Sequence, residues 1–129
     1  MNVPEDIKYT REHEWIRIDG EEAVIGITDF AQDQLGEIVY IELPQEGEEF
    51  SLGDAFGVVE SVKSVNDIFA PISIHITECN DPLTETPETL NDDPYGEGWM
   101  VKARILNAKE LEGLLSNTEY EAYIREEIE

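Results

Sequence analysis

Apolar and polar residues alternate over most of this chain, and a spacing of three to four takes over near the end. Residues 13–18 read HEWIRI, which places Trp15 and Ile16 on opposite faces of a strand. Asp19-Gly20 follows as a turn signal and AVIGI at 23–27 as a second β-rich run, so the pair predicts a hairpin. Asp29-Phe30-Ala31-Gln32 predicts a short helix after residue 28, with Asp29 as N-cap, Gln32 closing a capping box, and Gly36 ending it. EIVYIEL at 37–43 is a strand closed by Pro44, 44–54 is turn-rich and acidic, and AFGVVESV at 55–62 is another strand. Residues 65–79 hold one or two more, broken near Pro71. Residues 80–98, rich in Asn, Asp, Pro and Thr, predict ordered loop, and 98–105 a further strand.

Beyond that strand the period changes. Ala108, Leu111 and Leu115 form one helical face, and Tyr120, Tyr123, Ile124 and Ile128 another, with Asn117 or Thr118 as the cap of the second. The expected architecture is a mainly β sandwich or flattened barrel with helices at the C-terminus, over about 107–128. The 129 residues fit a single domain spanning 1–129.

Charge narrows the choice of partners. Eight Lys and Arg against 31 Asp and Glu give a net charge of −23. Such a surface repels phosphate backbones and anionic lipid, so neither nucleic acid nor membrane is an expected partner. It favours solubility and basic patches on other proteins. Cys79 is the only cysteine, which leaves no internal disulfide and no cysteine cluster for zinc. No apolar leader or Arg-rich amphipathic stretch opens the chain, so the expected location is the cytoplasm, or the mitochondrial matrix if a presequence was removed.

Between Arg17 and Lys102 the only cation is Lys63, set in E-S-V-K-S-V-N-D between two β-prone segments. A tight hairpin there puts its amine into water, open to an acylating enzyme, and a rigid tip limits the entropy lost on docking. The spacing alone leaves two readings open, a modification site and an ordinary solvated lysine. No Ser/His/Asp set, phosphate-cradling glycine loop or metal cluster points to an independent enzyme.

Longer segments decide between them. KYTREHEW at 8–15, GITDFAQDQLGEIVYIELP at 26–44, VESVKSVNDIFAPIS at 59–73 and NDDPYGEGWM at 91–100 closely resemble the glycine cleavage H-protein family, in order and spacing. The resemblance implies a lipoyl-domain-like barrel-sandwich hybrid of two antiparallel sheets with lipoate attached covalently to Lys63. Biotin carriers share that fold, but their lysine typically lies between two methionines, which Val62 and Ser64 do not match. The implied role is a non-catalytic carrier of the glycine cleavage system, a monomer shuttling the aminomethyl group of glycine. Its implied partners are a pyridoxal-phosphate glycine decarboxylase, a tetrahydrofolate-dependent aminomethyltransferase, dihydrolipoamide dehydrogenase and a lipoate-attaching enzyme. The cofactor carries the chemistry and the protein tethers and orients it. The resemblance also implies that the loaded arm folds into a surface cleft, where Glu14 and Asp67 hold its protonated amine. Solvated carboxylates are the competing reading of both. His13 belongs either to that cleft or to structural packing, and Trp15, Phe30 and Leu35 to core or cleft wall.

Two positions depart from the family pattern. Ile74 stands where a glycine is usual, which puts the local strand geometry in question, and Ser64 where alanine is common. If the segment stays extended, Ile74 and Ile76 share a face. The departures keep alive an H-like lipoate paralogue serving sulfur oxidation or lipoyl relay. A third possibility is an interaction module whose Lys63 is never modified.

Overall fold

The computed structural model describes residues 2–128, the last of them by backbone alone, so the side chain of Ile128 lies outside the described residues. Strands β1 (Lys8–Tyr9), β2 (Glu14–Asp19) and β3 (Glu22–Ile27) lead into helix α1 (Asp29–Leu35). Next come β4 (Ile38–Glu42), β5 (Glu49–Phe50), β6 (Ala55–Ser61), β7 (Val65–Phe69) and β8 (Ile74–Cys79). Two single-turn helices, α2 (Pro82–Glu85) and α3 (Thr89–Asp92), precede β9 (Val101–Ile105), a 3₁₀ turn at Ala108–Gly113 and helix α4 (Asn117–Ile128). Pairing is antiparallel throughout: one sheet has the order β1-β2-β3-β9-β8-β5, the other β4-β6-β7.

The main core fills the space between the sheets, with Ile16, Ile25, Ile41, Val59, Ile74 and Ile76 all but inaccessible. A second core covers the other face of the larger sheet. There Trp15 shares a cluster with Tyr9, Phe30, Tyr95, Leu115 and Tyr120. The 13–18 alternation therefore separates two buried faces rather than a buried and a wet one. Trp15 lies flat over Gly26, its register partner, and a Cβ on that glycine would stand 2.8 Å from the indole ring. The indole N–H, buried with the ring, donates to the Pro94 carbonyl at 2.9 Å.

Several local expectations change. Thr28, not Asp29, caps α1: its backbone is extended and its hydroxyl accepts from the Ala31 N–H at 3.1 Å. Asp29 is instead the first helical residue, and the Gln32 side chain bonds its carboxylate rather than its backbone. Gly36 does end α1, with φ of 81° and its N–H on the Gln32 carbonyl. Ser116, ahead of both expected caps, starts α4 through a reciprocal pair, donating its N–H to Glu119 Oε1 and accepting from the Glu119 N–H. The 80–98 loop contains α2 and α3; Ala108 and Leu111 of the expected helical face lie in a 3₁₀ turn that buries none of its own side chains, and Leu115 lies beyond it in the second core.

Ile74 opens β8 in extended pairing with Phe50 and Ile105 and is fully buried, sharing the main core with Ile76. Its β-branched side chain suits that backbone. His75 turns to the surface and meets Glu49 Oε2 at 2.9 Å. Cys79, half-buried, donates its thiol to the Pro44 carbonyl, and burial pushes its pKa up to about 11. It stays a neutral thiol at ordinary pH, which fits a packing role.

Because backbone and indole fix the space over residue 26, Gly26→Ala should lower stability by about 1–3 kcal/mol. Urea unfolding should show this as a lower midpoint with an unchanged slope.

Candidate functional site

β6 and β7 form a hairpin whose ladder closes with Glu60 opposite Val65. The Ser61 N–H then bonds the Ser64 carbonyl at 2.8 Å, leaving Val62 and Lys63 to make the turn. Neither has positive φ. Side-chain bonds hold the turn instead. The buried Ser61 hydroxyl accepts from the Lys63 N–H at 3.3 Å and the Ser64 N–H at 3.2 Å.

A second anchor comes from the segment after α1. The Val62 N–H donates to the Glu37 carbonyl at 3.0 Å. Asn91 of α3 fixes that segment, donating to the Gly36 carbonyl at 2.8 Å and to Gln32 Oε1 at 3.0 Å, while its own oxygen accepts from the Ile38 N–H at 3.0 Å. No motif in the loop-like 80–98 stretch singles out Asn91. Its role depends on where the chain returns.

Lys63 itself is exposed, and no ion pair engages it among the described residues. Its side chain runs past Gly36, where a Cβ would lie 3.5 Å from Cε and 3.9 Å from Nζ. The turn thus has a fixed backbone and an unpartnered amine.

Asp67 lies on β7 opposite Val58, exposed, at the border of a cleft walled by Ile27, Ala31, Leu35 and Phe69. His13 lines the same cleft at φ of 69°. Its ring meets Tyr120 Oη at 2.9 Å through Nδ1 and Glu127 at 3.1 Å through Nε2, and burial lowers its pKa against the pull of Glu127. The histidine belongs to both cleft and packing. Leu35 is cleft wall, whereas Trp15 and Phe30 are second-core residues.

Glu14 lines a neighbouring depression, which shares Glu12 and Phe69 with the first. Its side chain is 2% exposed. Glu14 Oε1 accepts from the Thr10 hydroxyl at 2.6 Å, and Oε2 from the Phe69 N–H at 3.3 Å. Burial pushes its pKa up to about 7, and these hydrogen bonds offset only part of that rise. The two carboxylates are therefore unlike: Asp67 is exposed and has no side-chain partner among the described residues, while Glu14 is dry and bonded to the β7 backbone.

Two sheets closed around one core, with a lone lysine on a two-residue turn beside an acid-bordered cleft, define a lysine-presenting carrier domain of the barrel-sandwich kind. The chain belongs to the glycine cleavage H-protein family, whose profile matches residues 7–127. A glycine cleavage system H protein of Carboxydothermus hydrogenoformans is 56% identical over 125 residues, 97% of this chain and 96% of the relative. One from Anaeromyxobacter sp. (strain K) is 53% identical over 127 residues, 98% and 99% of the two chains. The crystal structure of a glycine cleavage system H protein from Mycobacterium marinum superposes with a TM-score of 0.81 at 38% identity, covering 92% of this chain and 95% of that one.

The Glu14 environment predicts a pH effect. Between its ordinary pKa of 4.5 and about 7 the folded chain holds a proton that the unfolded chain has lost. The stability contributed by the protonated group is fully present below pH 4.5 and is lost as pH rises through about 7. The parent should therefore lose stability relative to Glu14→Gln between about pH 5 and about pH 8. Urea midpoints of both proteins at the two pH values check this, and a constant difference would refute it.

Proposed function

We propose that this chain is the lipoyl carrier of a glycine cleavage system, with Lys63 as the attachment residue and lipoate as its covalent cofactor. The observation that carries the reading is the Lys63 turn: a solvent-facing amine without a partner on a backbone held by Ser61 and Glu37. The kinship of the whole chain to glycine cleavage system H proteins favours this pathway over a sulfur-oxidation or lipoyl-relay role.

The attached group supplies a reactive disulfide. The chain supplies display, shelter and charge. Amide formation at Lys63 Nζ removes the single positive charge in this part of the sequence and leaves a long tether. The hairpin presents that tether in one direction, so little orientational freedom is lost as each partner binds it. The proposed partners are the glycine decarboxylase, the aminomethyltransferase, dihydrolipoamide dehydrogenase and the lipoate-attaching enzyme, with the chain itself a non-catalytic monomer.

Shelter would come from the cleft beside β7. Its apolar walls exclude water, and Asp67 at its border attracts a protonated amine. Glu14, in the neighbouring depression, is the second proposed acceptor. Its bond to the Phe69 N–H also fixes the strand that carries Asp67. Asp67→Asn, loaded through the decarboxylase, should release its one-carbon unit faster than the parent while accepting lipoate normally. Equal release rates would remove Asp67 from the role.

Intact mass after incubation with a lipoate-attaching enzyme, ATP and lipoate tests the attachment itself. One lipoyl group should be added, peptide mapping should place it on Lys63, and Lys63→Arg should gain no mass. Addition at Lys8, Lys102 or Lys109, or none at all, would refute the assignment.

A further inference from the structure

Six large hydrophobic side chains are exposed among the described residues, and four of them, Val39, Tyr40, Val62 and Val65, belong to the turn that carries Lys63 or to the strands forming it and flanking it. The ladder explains their grouping. Tyr40, Glu60 and Val65 are register partners across β4, β6 and β7, so their side chains form one row on the same face of the smaller sheet. The next row is Glu42, Val58 and Asp67. Val62 lies in the turn at the end of this face.

Val39 is present because β4 is irregular. Ile38 pairs with Ser61 and Tyr40 with Glu60, so one extra residue is inserted between them. Regular alternation would turn one of Val39 and Tyr40 inward. The bulge keeps Ile38 and Ile41 in the core and leaves Val39 49% and Tyr40 47% exposed side by side. Val62 and Val65 are more open still, at 72% and 67%. Apolar groups gathered at an open sheet face gain nothing for the isolated fold.

We infer that this face, Val39 and Tyr40 of the β4 bulge together with Val62 and Val65, is the docking surface for the enzyme that acylates Lys63. This rests on the proposed carrier function. That enzyme is the partner that must recognise the chain while the lysine is still a free amine, and the patch directly adjoins that amine. Charge specifies its complement. The exposed Glu37 and Glu42 and the half-buried Glu60 surround the apolar side chains, and Lys63 is the one cation between Arg17 and Lys102. The fitting surface is an apolar lip bordered by Lys or Arg around the entrance to the acylating active site.

The test is lipoylation kinetics on the full chain with a lipoate–protein ligase, ATP and free lipoate, followed by intact mass. Val39→Ser/Tyr40→Ser should lower kcat/KM about ten-fold, chiefly through KM. Glu42→Lys should also raise KM and flatten the salt dependence of kcat/KM. Leu106→Ser, equally exposed but after β9, should behave as the parent. Matching thermal melts establish that the surface variants fold. Parent-like kcat/KM in the double variant overturns the inference, as does an equal loss in Leu106→Ser. Chemically lipoylated double variant assayed for glycine–bicarbonate exchange should match the parent. A defect confined to that exchange would give the face to another partner and overturn the assignment. If the parent gains no mass at Lys63, the carrier reading fails first, which separates the two failures.

Discussion

The Lys63 amine is exposed to water while its turn is held by hydrogen bonds to the turn backbone alone. The Ser61 hydroxyl takes the N–H groups of Lys63 and Ser64, and the Glu37 carbonyl takes that of Val62. None of these bonds uses the lysine side chain. Ser61 is buried, so its bonds are protected from competing water, and the turn needs no glycine. The Glu37 carbonyl is in place because Asn91 holds the residues on both sides of it. Orientation of the turn thus depends on α3, which is distant in sequence and lies in the least patterned part of the chain.

The same economy applies to the cleft. One wall is α1, and the second core holds α1 in place. Thr28 caps α1 with its hydroxyl and also meets Tyr120 Oη at 2.7 Å. Tyr120 bonds the His13 ring and stacks on Tyr9 at 4.6 Å. Helix α4 therefore acts on the site without touching Lys63: it fixes Thr28 and His13, which fix one side of the groove. A mainly β carrier has use for its C-terminal helix because both faces of its larger sheet are covered. The outer face of the smaller sheet carries the exposed row of Tyr40, Glu60 and Val65.

Local pattern made the longer strands, the β6–β7 hairpin and Gly36 legible, because each depends on neighbours within a few residues; the two-residue strands β1 and β5 were not, and β5 lies inside the 44–54 stretch that reads as turn. Placement failed where two adjacent residues offered the same chemistry. Thr28 and Asp29 are both good caps, and the choice turns on which adopts the extended backbone. Ser116 and Asn117 pose the same ambiguity, resolved by Glu119. The family resemblance singles out Glu14 but gives no sign of its burial. Alternation puts it on the face of Ile16, yet only the return of β7 supplies the Phe69 N–H that makes a dry carboxylate tolerable. Asn91 and the β4 bulge were invisible for a related reason, since both are defined by long-range pairing.

How one lysine is distinguished from the others is a question of context rather than exposure. Lys8 and Lys109 are exposed, as Lys63 is. Lys102 is not, lying 4.8 Å from the Trp99 ring and 3.8 Å from Glu78. An enzyme that read only accessibility would acylate the open three alike. Lys8 lies in a paired edge strand and Lys109 in a 3₁₀ turn, and no large exposed apolar side chain lies within two residues of either. Lys63 alone combines a turn closed by Ser61 with exposed valines on both sides, and the β4 bulge adds two more apolar groups at the same end of the sheet. Selectivity built this way resides in the backbone geometry of the hairpin and its neighbour strand. Ser64 closes the turn through its backbone N–H and carbonyl, both of which an alanine there would retain.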